Sequence, residues 1–166
     1  MDTSFIHGVI PPIITPVDEE ERVETKALRR VAEHIIKGGV HGILALGSNG
    51  EFFALDHTQQ QRVVSTVMEQ AAGRVPVYMG IGAITTRECL KLAKMAMEEK
   101  VQAITILPPM FLTPNEEELY QHIKAIADST DLPVLLYNNP DKVKNNISVR
   151  LLERLVDIPN IVGMKD

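Results

Sequence analysis

Cysteine is almost missing from this sequence: Cys89 stands alone among 166 residues, so no intramolecular disulfide can brace the fold. Arg87, Glu88 and Lys91 around it suggest a helix rather than a reactive site, and Cys89 reads as a small structural hydrophobe. Long apolar runs are lacking too. No stretch approaches the ~18 consecutive apolar residues of a membrane span, and Met1 to His7 carry Asp2 where a secretory leader would carry basic charge. Neither sign of charge is gathered into a block. The 17 basic and 22 acidic residues are scattered and sum to -5, which leaves no basic stripe for a nucleic-acid backbone. A soluble, cytoplasmic protein with no nucleic-acid or membrane partner is the expectation. What is present is ordinary globular material: 45% apolar and 23% charged residues, with ten glycines and ten prolines spread along the chain. The length suits one domain, taken as residues 1–166.

Short apolar runs alternate with longer amphipathic stretches. The runs are Val9 to Ile14, Gly42 to Leu46, Val75 to Ile81, Ala103 to Leu107, Pro133 to Tyr137 and Asn160 to Met164. Most are continuous rather than alternating, the pattern of parallel strands covered on both faces. Helix starts lie between them. Asp56 to Gln59 and Thr85 to Glu88 have capping-box spacing, while Thr113, Pro114 and Glu116 offer an N-cap, a proline at the first helical position and an acidic third residue. Strand followed by helix, repeated every ~26 to 35 residues, predicts an α/β protein with a parallel sheet. An open doubly wound sheet and a (β/α)8 barrel both satisfy that pattern. Pro11 and Pro12 cannot donate ladder hydrogen bonds, so the first run is expected to be an irregular strand. A barrel takes about 250 residues, and this chain supplies about five and a half strand-helix units, stopping on the sixth strand. A fragment, a partly represented chain and a stable partial barrel are all consistent with that count.

Three features fall at the C-terminal ends of predicted strands, where parallel α/β folds place their active sites. The first is the turn Gly47, Ser48, Asn49, Gly50, Glu51. Its glycines allow close backbone approach, and Ser48, Asn49 and the backbone amides are suited to a carboxylate or phosphate; an ordinary Asn-Gly turn is the plainer alternative. The second is Tyr137, followed by Asn138, Asn139 and Pro140. A phenol there either shuttles a proton or caps the core with its hydroxyl hydrogen-bonded. The third is Lys165, ending the otherwise apolar run through Gly163 and Met164. Apolar surroundings disfavour the charged amine and free its lone pair for attack on a carbonyl, unless the lysine simply leaves the core for solvent.

The set and its order resemble the dihydrodipicolinate synthase and N-acetylneuraminate lyase family, which carries G-[ST]-x-G-E, L-Y-N-x-P and G-[IM]-K-[DE] after the second, fifth and sixth strands. The likeness extends over nearly the whole chain, including Gly8 to Pro16, Gly80 to Gly82 and Leu119 to Ala127. It implies a (β/α)8 TIM barrel, commonly a homotetramer, that joins or releases pyruvate and an aldehyde through a lysine imine. By motif match Lys165 forms the imine, Tyr137 moves protons, and Gly47, Ser48 and Asn49 hold the pyruvate carboxylate. The protonated imine is itself the electron sink, so no metal or other cofactor is implied.

Departures from the family pattern bear on the substrate. Many members place a tyrosine after the fourth strand, often reaching a neighbouring subunit, to complete a hydroxyl relay; here Pro109, Met110, Phe111 and Leu112 hold no phenol. Synthases of lysine biosynthesis place an arginine after the tyrosine for the aldehyde's carboxylate, where this chain has Asp141, Lys142, Val143 and Lys144. An aldolase acting on a 2-keto-3-deoxy sugar acid is therefore preferred. The alternatives are 4-hydroxy-tetrahydrodipicolinate synthase and, in another class, a non-catalytic barrel fragment or binding module. Histidines 7, 34, 41, 57 and 122 show no metal-ligand spacing. Gly80-Ile81-Gly82 opens like a dinucleotide fingerprint, but Thr85 occupies the third glycine position.

Overall fold

A computed structural model describes all residues from Met1 to Asp166, which form two compact units. One comprises residues 2–80 and 99–102, the other residue 1 with 81–98 and 103–166.

In the first unit, helix α1 (Thr25–Lys37) starts where the Glu24 carboxylate accepts from the amides of Lys26 and Ala27, and it buries Leu28 and Ala32. Helix α2 (His57–Ala71) starts at Asp56, whose side chain accepts from the Gln59 amide at 2.8 Å. The N-cap half of the expected capping box is therefore in place, satisfying an amide that has no partner inside the helix, while the Gln59 carboxamide oxygen accepts from the Val23 amide instead of completing the box. Glu33 of α1 accepts from Arg74 at 2.7 Å and from Gln70 of α2 at 2.8 Å. Those hydrogen bonds, Arg74 first, hold its carboxyl down to about 2.

Strands β1 (Ile43–Ala45) and β2 (Val77–Ile81) are buried throughout. They run parallel, with Ile43, Leu44 and Ala45 opposite Val77, Tyr78 and Met79. The proline-bearing opening run forms a single parallel bridge, Pro12 to Leu44, rather than a ladder. Its geometry explains why proline is tolerated: Ile13 donates to the Leu44 carbonyl and Leu44 to the Pro11 carbonyl, each at 3.0 Å, so neither proline is asked for an N–H. Gly80 is a steric requirement. A Cβ there would lie 2.2 Å from the Leu46 carbonyl oxygen, which lets β2 close tightly against the end of β1.

The second unit contains α3 (Thr86–Glu98), β3 (Ala103–Ile106), α4 (Glu116–Ala127), β4 (Val134–Tyr137), α5 (Pro140–Val143), α6 (Val149–Leu155) and β5 (Ile161–Lys165). The Thr85 hydroxyl accepts from the Glu88 amide at 3.3 Å, at the spacing expected. The start of α4 corrects the expectation of Thr113 as N-cap with Pro114 at the first helical position. Asn115 is the cap, joined to Glu118 in a reciprocal capping box, and this double satisfaction of end amides sets the start two residues later. Between α3 and α4, His122 Nδ1 lies 2.8 Å from Thr86 Oγ1 and its Nε2 lies 3.9 Å from Cys89 Sγ. Cys89 is completely buried, as a structural hydrophobe should be, and burial pushes its thiol up to about 12. No helix is long and apolar enough to cross a membrane.

Parallel pairing continues through β3, β4 and β5. Ile104, Thr105 and Ile106 face Val134, Leu135 and Leu136. Between β4 and β5 the register shifts: Val134 pairs with Ile161, but Leu135 pairs with Gly163, so Val162 is an extra residue. A bulge of this kind bends the strand and re-aims the side chains beyond it.

Candidate active site

The bulge determines which side chain meets Tyr137. With an unbroken ladder Met164 would stand opposite it; the extra residue instead makes Tyr137 and Lys165 a register pair at the C-terminal ends of β4 and β5. Register partners in a parallel ladder project on the same face, and the Lys165 Nζ lies 3.4 Å from the centroid of the Tyr137 ring. An ammonium in that position is attracted by the negative face of the ring. Tyr137 is buried, whereas Lys165 is half-buried and its neighbours Gly163 and Met164 are exposed. Cover along β5 is thus thinner than its apolar sequence suggested, and the tyrosine ring supplies the aromatic surface beneath the amine.

Two consecutive asparagines follow the tyrosine, and each reaches one member of the pair. Asn138 donates its backbone N–H to the Lys165 carbonyl at 2.9 Å. Its carboxamide donates to Asp166 Oδ1 at 2.8 Å and to Asn146 Oδ1 at 3.1 Å, and accepts from the Ile147 amide at 3.0 Å. The strand end is thereby tied on both sides of the lysine. Asn139 Nδ2 donates to the Tyr137 hydroxyl at 3.0 Å. Sequence reasoning noted both asparagines without giving them a task; paired carboxamides directly after a strand-end tyrosine were the available signal.

Gly47, Ser48 and Asn49 occur together in the first unit, on the turn that leaves β1. Ser48–Gly50 forms a short 3-10 helix, flanked by Leu46 at φ 55 and Glu51 at φ 53. Left-handed backbone at such side chains is uncommon and is held by its surroundings. The Thr15 hydroxyl donates to the Gly50 carbonyl at 2.7 Å, and the Gly50 amide closes on Gly47 at 2.9 Å. Ser48 is half-buried and Asn49 exposed.

In the loop after β3, Phe111 is 92% exposed with φ 69. The loop is fixed from beneath by buried Asn145, whose carboxamide donates to the carbonyls of Pro109 and Leu112, both at 2.7 Å. Lys142 and Lys144 are exposed. No three His, Cys, Asp or Glu side chains converge in a group that could hold a metal ion.

Comparison with known proteins extends these likenesses over the chain. Residues 5–166 match the model of the dihydrodipicolinate synthetase family. The 4-hydroxy-tetrahydrodipicolinate synthase of Phenylobacterium zucineum is 38% identical over 162 residues, which cover 98% of this chain and 55% of that protein. The enzyme of the same name from Acidithiobacillus ferrooxidans is 36% identical over 162 residues, covering 98% of this chain and 56% of its own length. The chain therefore spans about half the length of the curated relatives it matches. Among solved structures, the dihydrodipicolinate synthase of Acinetobacter baumannii complexed with pyruvate has a TM-score of 0.93 at 37% identity, covering 97% of this chain and 55% of that one. A prophage protein of E. coli K12 belonging to the dihydrodipicolinic acid synthase family, also in complex with pyruvate, has a TM-score of 0.93 at 30% identity, covering 97% and 54%. Parallel strands alternating with helices, together with these superpositions, make the fold a partial (β/α)8 barrel. Motif order, fold and a family match running from residue 5 to residue 166 lead to one conclusion: this chain belongs to the dihydrodipicolinate synthetase family.

Proposed function

We propose that the protein is a Schiff-base lyase or aldolase that makes or breaks a carbon-carbon bond to pyruvate, with Lys165 as nucleophile. The observation that carries the reading is the Lys165 amine 3.4 Å from the Tyr137 ring centroid, the two residues being register partners beyond the irregularity in β5. Lys165 attacks the ketone carbon of pyruvate, and loss of water yields a protonated imine. That imine withdraws electrons from the adjacent methyl carbon, so an enamine forms and adds to an aldehyde; the reverse path cleaves a 2-keto acid. Tyr137 gives and takes the protons of these steps. Ser48, Asn49 and the Gly47 turn hold the pyruvate carboxylate and fix the reacting carbon. The two pyruvate complexes among structures similar to this chain support the choice of keto acid.

The exposed Lys142 and Lys144 stand where a bidentate arginine would serve a second carboxylate, which favours a hydroxylated sugar aldehyde as the partner. The names of the curated relatives favour the second reading, 4-hydroxy-tetrahydrodipicolinate synthase. Comparing kcat/KM for aspartate semialdehyde with that for a sugar aldehyde decides between them. A solvent-facing aromatic at 92% exposure, on a loop anchored by Asn145, further supports a homo-oligomer, to be measured by light scattering.

The decisive experiment treats the full-length protein with pyruvate and borohydride, then maps the reduced adduct. The expected result is a single adduct on Lys165 that Lys165→Ala abolishes. A folded protein that binds pyruvate yet gives no adduct at Lys165 refutes the mechanism.

A further inference from the structure

Asn139 forms a contact that its place in the chain would not lead one to expect. It is the residue immediately before α5, and asparagine there ordinarily turns its side-chain oxygen back onto the second or third amide of the helix. No such side-chain cap is made. The backbone carbonyl of Asn139 accepts from Lys142 and Val143 instead, each at 3.1 Å, and the carboxamide is directed to the Tyr137 hydroxyl at 3.0 Å. The Lys142 and Val143 amides are thus satisfied without the side chain, which is committed to the phenol. The same phenol ring lies beneath the Lys165 amine.

We propose that Asn139 is a positioning residue for Tyr137, donating through Nδ2 to the phenol oxygen so that the negative charge appearing on it during proton transfer is held. This rests on the reading of Lys165 and Tyr137 given above. The chemistry of the donor defines its role. A carboxamide neither surrenders nor accepts a proton in this pH range, so Asn139 cannot replace the hydroxyl that Phe111 lacks; it acts on the oxygen that remains. A hydrogen bond from a neutral donor to a neutral phenol contributes little, and the same bond to an oxygen gaining negative charge contributes more. The benefit therefore arises in the transition state and is seen in kcat rather than in KM.

The test uses the full-length protein and the variants Asn139→Asp and Asn139→Ala. Asp keeps the size and one acceptor oxygen but removes the donor and places charge beside the phenol. The expected result is a fall in kcat of about 10- to 100-fold for Ala and a larger one for Asp. The KM for pyruvate should stay within about twofold, and the final yield of borohydride adduct on Lys165 should equal that of the parent. Asn139→Asp with parental kcat overturns the inference, because an acceptor would then suffice. A rise in KM matching the loss of kcat, or a fall in adduct yield, also overturns it, because Asn139 would then serve binding or folding alone. Should the Ala variant not fold, the isosteric Asp variant still decides the matter. Failure of the parent protein to form the Lys165 adduct rejects the underlying mechanism instead, and so is distinguishable from failure of this inference.

Discussion

Gly80→Ala is the substitution whose cost can be worked most directly from the geometry. The added methyl would lie 2.2 Å from the carbonyl oxygen of Leu46 and 2.8 Å from its carbonyl carbon. Folded proteins keep such atoms at least about 3 Å apart, so β2 and the chain at Leu46 must separate by roughly 1 Å in a region packed at crystal-like density. Leu46 has little freedom to yield, since it already holds φ 55 and is buried. Overpacking of this kind costs about 2 to 3 kcal/mol, against a gain of about 0.4 to 1 kcal/mol from the reduced freedom of the unfolded chain. A net loss near 2 kcal/mol lowers the melting temperature of a protein this size by about 4 to 8 °C. Scanning calorimetry measures it, with Gly163→Ala as the control, whose methyl meets only Leu135 at an ordinary 3.6 Å. Because Leu46 leads directly into Gly47, Ser48 and Asn49, Gly80→Ala should also slow formation of the pyruvate adduct. A melting temperature within a degree of the parent would show that the close approach of β2 is not what requires glycine here.

Asn145→Ala removes the donor shared by the Pro109 and Leu112 carbonyls at a cost of about 1 to 3 kcal/mol, and chymotrypsin should then cut after exposed Phe111 faster; an unchanged cleavage rate contradicts the anchoring role. Burial holds His122 below its ordinary value of 6.5. The unfolded chain therefore takes up a proton first as pH falls below 6.5, and stability declines there by at most about 1.4 kcal/mol per pH unit. His122→Gln should flatten that acid limb in denaturant titrations, and an unaltered limb assigns the loss to other groups. Cys89, buried with its thiol raised to about 12, should stay unreactive toward dithionitrobenzoate until the protein is unfolded; rapid labelling of the native protein would contradict that burial.

The apolar runs located five strands to within two residues because continuous Val, Ile and Leu segments suit strands covered on both faces. The first run was harder to read. Pro11 and Pro12 lack N–H groups, and only the three-dimensional bridge shows that the donors actually needed belong to Ile13 and Leu44. The start of α4 was misplaced because two cap signals overlapped within four residues, and Asn115 with Glu118 makes two hydrogen bonds at once. At the candidate site the family motifs singled out Tyr137 and Lys165, which the fold makes neighbours, but nothing in composition or periodicity marks Val162 as surplus. Asn138 and Asn139 were visible as letters and silent as to partner, since a carboxamide serves equally well as cap, turn or clamp.

The surplus residue in β5 separates the phase of the strand from its length. From Val134 to Tyr137 is three steps, while from Ile161 to Lys165 is four. Were the strand to slip by one and absorb the difference, a thioether from Met164 would face the phenol and the amine would overshoot, leaving the family's spelling intact and Lys165 out of phase with Tyr137. Deleting Val162 outright would preserve the pairing of Tyr137 with Lys165. The pairing of Tyr137 with Lys165 depends on the phase at the tip of the strand, not on the number of residues spent in reaching it.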